Sequence, residues 1–156
     1  MTHARQQIRH RVTSLTLLTM AEQTGAGEVY RSRTRPITLY PSIAVTGDNE
    51  YRLDVENPGY INADPSDKRY RRFYDLKIEV AVQTESDPDN VLDALCSQVE
   101  TLMAADDNMG GGVIATDLIS CIFERSGAGE KQTHICVMTY RCEFRTTAAD
   151  PETFLA

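Results

Sequence analysis

The sequence lacks the residue groupings on which metal binding usually depends. Its four cysteines are Cys96, Cys121, Cys136 and Cys142. None lies two residues from another, and none pairs with a histidine at zinc-finger spacing, so no structural zinc site is expected. The three histidines are far apart along the chain, and no third ligand accompanies His3 and His10. We therefore interpret the cysteines as small, reduced core residues and expect no metal.

Motifs for nucleotide binding and nucleophilic catalysis are also missing. Residues 25–28 and 127–130 repeat the tetrapeptide Gly-Ala-Gly-Glu, but neither copy has the Gly-Lys-Ser/Thr ending of a phosphate-binding loop. Residues 106–108 lack the glycine and glutamate spacing of a calcium loop. No serine, cysteine or lysine stands in a known nucleophile motif. We expect a protein that is not an enzyme and that uses no cofactor.

Long apolar runs are absent from the sequence. No run approaches the roughly 20 residues that a membrane helix needs, and residues 1–7 lack the apolar core of a signal peptide. We therefore expect a soluble protein that is made in the cytoplasm and has no membrane partner. A length of 156 residues accommodates one domain with a substantial core.

Charge is present in quantity, and it is spread unevenly. The formal net charge is −7, yet residues 1–40 carry six arginines against two glutamates. Residues 84–156 carry thirteen acidic against four basic residues. This polarity fits a subunit that meets differently charged neighbours, or copies of itself head to tail. Chance variation in surface charge is the alternative explanation.

The clearest periodic segment is residues 74–83, in which apolar and polar side chains alternate. Tyr74, Leu76 and Ile78 share one face, and Asp75, Lys77 and Glu79 share the other. Because a strand has a side-chain period of two, this pattern predicts a sheet with one buried face and one solvated face.

The remaining segments complete an α+β pattern. A helix is predicted over residues 3–20, short strands over 39–46 and 51–55 with a turn at 47–49, and a helix that begins at Asp87 and Pro88. Two antiparallel strands follow at 113–125 and 133–145. We expect a mainly antiparallel sheet with two helices packed on one face, a single domain over residues 1–146, an extended arm near 57–72 and a loose C-terminal tail at 147–156.

Basic residues gather in two segments. Arg31, Arg33 and Arg35 would project from one face of an extended segment, which Pro36 confines to a sheet edge or a loop. The second group, with its neighbouring aromatic residues, comprises Tyr60, Lys68, Arg69, Tyr70, Arg71, Arg72 and Phe73. Protein–protein contact, a solvated surface and nucleic-acid contact all use these residue types, and the acidic pI of about 4.9 disfavours a dedicated nucleic-acid binder.

The order of these segments resembles that of the tail terminator proteins of long-tailed bacteriophages, the minor tail protein U-like group. The similarity covers most of residues 3–145. It rests on the order of the predicted elements and on their pattern of charged and apolar residues. An amphipathic helix leads through Arg35-Pro36 into a Leu-Tyr-Pro-Ser-Ile-Ala-Val segment at 39–45. A long alternating strand, an Asp-rich helix start and two closing strands follow.

The resemblance implies a structural virion protein that forms a ring, usually of six copies. Such a ring caps the tail tube, stops its polymerisation, and meets a head-completion or connector protein, while the genome DNA passes through its channel. The arm at 57–72 would then reach a neighbouring subunit, and Asp75, Lys77 and Glu79 would line the channel or a ring contact. Charge reversal of Arg71 and Arg72 is expected to reduce ring formation without unfolding the monomer.

Three other functions remain open from the sequence. Another head–tail joining protein, of the neck or tail-completion kind, would share the same order of elements and the same residue pattern. A small ligand-binding domain or enzyme would require convergent polar residues in a pocket. A single-strand nucleic-acid binder would use the arm and bind in a salt-dependent manner.

Overall fold

The computed structural model describes residues 3–23, 28–31, 39–54, 69–84, 86–127, 132–147 and 149–155. In this part of the chain two helices and five strands are present. Their bounds, in chain order, are α1 Ala4–Gln23, β1 Glu28–Arg31, β2 Ser42–Asp54, β3 Arg69–Val82, α2 Pro88–Ala105, β4 Ala115–Ser126 and β5 Thr133–Thr147.

The strands form one sheet in the order β1-β2-β3-β5-β4. The pairs β2–β3, β3–β5 and β5–β4 are antiparallel, and only the short β1 pairs in parallel fashion, with β2. Buried residues of α1 and α2 join one hydrophobic core with β2, β3 and β5. The predicted α+β fold, a mainly antiparallel sheet with two helices packed on one face, is therefore confirmed.

Strand β3 lies at the centre of the sheet and supplies much of the core. Tyr74, Leu76 and Ile78 are buried toward the helices, as the alternation predicts. The prediction of a solvated opposite face is wrong at Ala81, which is 1% exposed, and at Asp75, which is only 4% exposed. At Asp75 the reason is local: the guanidinium of Arg141 on β5 lies across this carboxylate and forms two hydrogen bonds with it.

The predicted turn at residues 47–49 is also wrong, since β2 continues through it. Gly47 pairs with Leu76 and Glu50 pairs with Tyr74, so β2 uses three steps where β3 uses two. This is a β-bulge, which accommodates one extra residue without ending the strand. The long β3 offers a continuous ladder on both sides of the bulge, and this outweighs the local turn preference of the sequence.

Helix α2 begins at Pro88, as predicted, but Asp87 does not cap it in the expected way. Asp87 has a left-handed backbone, with φ of 47°, and makes no side-chain capping bond; its carboxylate accepts instead from the Asn90 side chain. The buried face consists of Leu92, Leu95, Cys96, Val99 and Met103. Val91, in the first turn of α2, is 39% exposed.

The C-terminal segment is packed rather than loose. The Phe154 ring meets the Phe144 ring edge-on at 5.6 Å between centroids, and Phe144 is fully buried. The backbone N–H of Leu155 donates to the carbonyl oxygen of Arg145 at 2.9 Å. These contacts hold residues 149–155 against the core, which corrects the expectation of a loose tail.

All four cysteines are free, and three are buried as predicted. Cys121 is the exception, because it lies exposed on β4. Strand β4 is the outermost strand on its side of the sheet, so its side chains have a neighbouring strand on one flank only.

The bulge in β2 yields a stability prediction. A Cβ atom added at Gly47 would collide with the hydroxyl of the buried Tyr74, to which the Arg9 guanidinium donates at 3.1 Å. We expect Gly47→Ala to lower the free energy of unfolding by about 1–3 kcal/mol, measured by urea denaturation. In a Tyr74→Phe background the closest clashing atom is gone, so the added cost should be smaller. Equal costs in the two backgrounds would contradict this account.

Candidate assembly interface

The most unusual surface of the molecule is the exposed apolar strand β4. Among the described residues, nine large apolar side chains are more than a third exposed, and four of them fall on this one strand. They are Leu118, Ile119, Ile122 and Phe123. Phe123 is 61% exposed, the largest value of the set. A cluster of this kind marks a contact surface more often than scattered exposed residues do.

The position of β4 in the sheet explains its exposure. Helix α1 packs over β1 and β2, and α2 packs over β3 and β5, so neither helix is centred on β4. Across the described ranges, β4 pairs with β5 alone and leaves one long edge of backbone donors and acceptors without a strand partner. Natural proteins usually shield such an edge, or use it to bind another chain.

A bulge in β4 spreads the apolar residues over both faces. Leu118 pairs with Tyr140 and Ser120 pairs with Thr139, so Ile119 is the extra residue. Phe123 pairs with the buried Cys136 and shares the helix-covered face, whereas its neighbour Ile122 is on the opposite face. A partner that covers this strand would therefore contact apolar groups on both sides of it.

An open groove of about 600 Å³ lies between β4 and the first turns of α2. Leu92, Phe123 and Ile135 supply its apolar part. Asp89 is already engaged, because its carboxylate contacts Nδ1 of His134 at 2.7 Å and Nη2 of Arg125 at 3.2 Å.

The remaining charges of the groove are carboxylates. Asp93 on α2 and Glu124 on β4 are both exposed, and neither has an ion-pair partner among the residues that the structure describes. Glu124 pairs with Ile135, so its side chain lies on the face opposite Phe123, and the two carboxylates flank the edge of β4 from its two sides. We call the set Asp93, Glu124, Leu92 and Phe123 the acidic groove. Carboxylates beside exposed apolar side chains suit a partner that brings arginine and apolar groups together.

At the opposite end of the sheet, three arginines share the face that the helices leave uncovered. Arg71 on β3 pairs directly with Arg145 on β5, and Arg69 is two residues along β3 on the same face. Arg71 donates two hydrogen bonds to Glu143, at 2.6 and 2.8 Å, and this contact raises the pKa of its guanidinium. In the described part of the chain, neither Arg69 nor Arg145 has an ion-pair partner.

Apolar side chains lie beside these arginines. Tyr51 and Leu53 on β2 are 48% and 54% exposed, and they line a shallow hollow with Phe73. The guanidinium of Arg71 lies 5.0 Å from the centroid of the Phe73 ring. We call the set Arg69, Arg71, Arg145, Tyr51 and Leu53 the arginine face. Arginine and tyrosine together are typical of the centres of protein interfaces.

Three residues expected at a ring contact or channel lie on the same open face and have intramolecular partners. Asp75 accepts from Arg141 at 2.8 and 2.9 Å, and this contact raises the pKa of the Arg141 guanidinium. Lys77 forms an ion pair with Asp48 at 3.0 Å, and Glu79 is half-buried. Their charges are therefore largely committed within the chain.

Arg72 and Tyr70 lie on the other face of β3, toward the helices. Arg72 forms an ion pair with Glu50 at 2.6 Å and donates to the hydroxyl of Thr146 at 2.8 Å. Its side chain is 13% exposed. The Tyr70 ring receives the guanidinium of Arg52 at 4.4 Å. Both residues thus have structural partners inside the monomer.

Four of the expected interface residues, Arg33, Arg35, Tyr60 and Lys68, lie outside the described residues, as does most of the arm expected at 57–72. Arg31 ends β1, where its backbone pairs with Val45. Of the expected residues, the structure brings together Arg69 and Arg71.

Sequence reasoning missed Arg145 and the whole acidic groove. The signal for β4 was present, because Leu118-Ile119 and Ile122-Phe123 are adjacent apolar pairs that break the alternation of a half-buried strand.

The described residues hold no group of three or more side chains suited to a metal ion. Burial raises the pKa of the Cys142 thiol to about 12 and also raises the pKa of Cys121. A hydrogen bond with Cys136, together with burial, raises the pKa of Cys96. Thiols with raised pKa values are poor nucleophiles at neutral pH.

No helix in the described ranges is both long and apolar enough to cross a bilayer. No protein-family model matches the chain, and no curated protein matches it significantly.

The contacts of Arg72 alter the expectation for charge reversal. Arg72→Glu would place a carboxylate beside Glu50 at a site of low exposure, so we expect the free energy of unfolding to fall by about 2–4 kcal/mol in urea denaturation. Arg71→Glu is the matched control, because Arg71 is 45% exposed and two further arginines share its face. A monomer equally stable in the two variants would show that the Arg72 contacts contribute little.

Proposed function

We propose that this chain is the tail terminator of a long-tailed bacteriophage. Its copies would form a ring on the tip of the tail tube, stop tube polymerisation, and present a surface to the head-completion or connector protein. The observation that supports this proposal best is the apolar, unpaired edge of β4. Such an edge is costly for a solitary subunit and useful for one that acts through assembly.

A ring of identical copies needs two different, complementary surfaces on each subunit. The rotation that relates neighbouring subunits must return to the first copy after a whole number of steps. The acidic groove and the arginine face meet the first requirement, because they lie at opposite ends of the sheet. The arginine face is near the start of β3, where Arg69 pairs with Thr147; the groove is near its end, where Val82 pairs with His134. Thirteen strand steps of about 3.3 Å separate those ends by roughly 40 Å.

Function through surfaces also agrees with the chemistry of the described residues. Some of their charged side chains form ion pairs that stabilise the sheet, as Asp75 and Arg141 do, and others are exposed near its two ends. In the proposal no catalytic residue, cofactor or metal takes part. The partners are further copies of the chain, the tail tube protein and a head-completion or connector protein, and genome DNA passes only through the channel. The mature location is the virion tail near the head–tail junction.

Tube capping provides the test of this function. Purified wild-type protein is expected to form closed rings of one size in native mass spectrometry and negative-stain images. Added to polymerising tail tube protein of the same phage, it should shorten the mean tube length and appear as a density at one tube end.

The control is an Ile122→Ser, Phe123→Ser variant. Both side chains are exposed, so folding should be affected by less than about 0.5 kcal/mol each, while ring formation and capping should be lost. Leu39→Ser, at another exposed apolar position, should behave as wild type. Rings that neither bind tube ends nor change tube length would contradict the terminator assignment and favour another head–tail joining role.

A further inference from the structure

The register of the sheet creates a repulsion that the described residues relieve only in part. Arg71 and Arg145 occupy directly opposite positions on neighbouring strands, and Arg69 follows on the same face. Like charges opposite each other across a strand pair are destabilising. Glu143 engages Arg71 only, so Arg69 and Arg145 contribute positive charge without a partner among the described residues. Carboxylates from outside the chain would remove this repulsion.

The acidic groove has the opposite excess of charge, because its carboxylates outnumber its basic groups. Asp93 faces solvent on the helix-covered side of β4, near the exposed Phe123, and Glu124 faces solvent on the opposite side of the strand, which it shares with Ile122. The one arginine of the groove, Arg125, is engaged with Asp89. Among the described residues, two guanidiniums and two carboxylates thus lack an ion-pair partner, and exposed apolar side chains lie near each pair. Arginine–carboxylate contacts are frequently bidentate and stronger than contacts between neutral groups.

These two surfaces cannot meet within one subunit, since ten strand steps, about 33 Å, separate the level of Arg145 from that of Glu124 in the sheet. We propose that they bind each other between copies: the arginine face of one chain covers the acidic groove of a second copy of the same chain. Arg69 and Arg145 of the first copy pair with Asp93 and Glu124 of the second. Tyr51 and Leu53 then pack against Phe123, so that polar pairs surround an apolar centre. This inference rests on the proposed ring and names the contact that closes it.

Paired charge-reversal variants provide the test. Variant A carries Arg69→Glu and Arg145→Glu, and variant B carries Asp93→Arg and Glu124→Arg. In variant A the arginine face and the groove are both acidic, and in variant B both are basic. Each variant alone is expected to remain monomeric, with the apparent Kd of the contact raised about a hundredfold or more, because like charges across an interface oppose association.

An equimolar mixture of A and B should regain assembly. In an alternating arrangement every contact joins an acidic to a basic surface, so native mass spectrometry should show oligomers with equal numbers of the two variants. All four substituted residues are exposed, so both variants should unfold at wild-type urea concentrations. Asp107→Arg, exposed just beyond α2 and outside both surfaces, is the control and should assemble as wild type.

The outcomes separate this inference from the proposed function. If A or B alone forms wild-type rings, or if the mixture stays monomeric, the contact assigned here is wrong, and tube capping by wild-type rings would be unaffected by that result. If the mixture alternates but wild-type rings do not cap tubes, the contact stands and the terminator function fails. Salt-dependent binding of single-stranded DNA to wild type that is lost in variant A, without any change in assembly, would assign the arginine face to nucleic acid and overturn the inference.

Discussion

The pairing register of β3 with β5 is the constraint on which the rest of the structure depends. The two strands pair without interruption from Arg69↔Thr147 to Val82↔His134. Because side chains alternate between faces, this one register decides which residues of both strands face the helices. A slip of one residue would expose the apolar stripe that includes Leu76 and would bury its charged neighbours. The outer strands β2 and β4 adjust to this pair through one bulge each.

The same register sets the charges of the uncovered face. It places Asp75 opposite Arg141, and the result is a bidentate ion pair that covers a buried carboxylate. Four residues along β3 it also places Arg71 opposite Arg145, and Glu143 forms an ion pair with Arg71 only, so part of the repulsion remains. One geometric requirement, burial of the apolar stripe, therefore produces both a stabilising and a destabilising charge pair. Acidic groups of another molecule would lower the remaining repulsion if they approached that end of the sheet.

The sequence predicted β3 and α2 well because their periodicity is strong and their burial follows from it. The prediction was wrong where a local turn preference competed with strand pairing. Residues 47–49 have the composition of a turn, but pairing with β3 keeps them within β2. The candidate interface was predicted only in part. Arg69 and Arg71 stand out in sequence as a basic run, whereas Arg145 joins them only through a strand register between residues more than seventy positions apart. The acidic groove likewise depends on how α2 is placed against β4.

Under the proposed function, strand β4 must avoid non-specific pairing before a partner covers it. An exposed apolar edge is a hazard, since any unpaired strand can add to it. Here Glu124 and Arg125 follow directly after the apolar pair of Ile122 and Phe123, and Asp117 precedes Leu118. Charges at these positions disfavour pairing with a neutral or like-charged strand, as does the bulge at Ile119, which distorts the edge. A partner must therefore bring matching charge as well as apolar surface, and this restricts the edge to specific contacts. The net charge of −7 adds a general repulsion between copies, which the proposed arginine–carboxylate pairs would have to overcome.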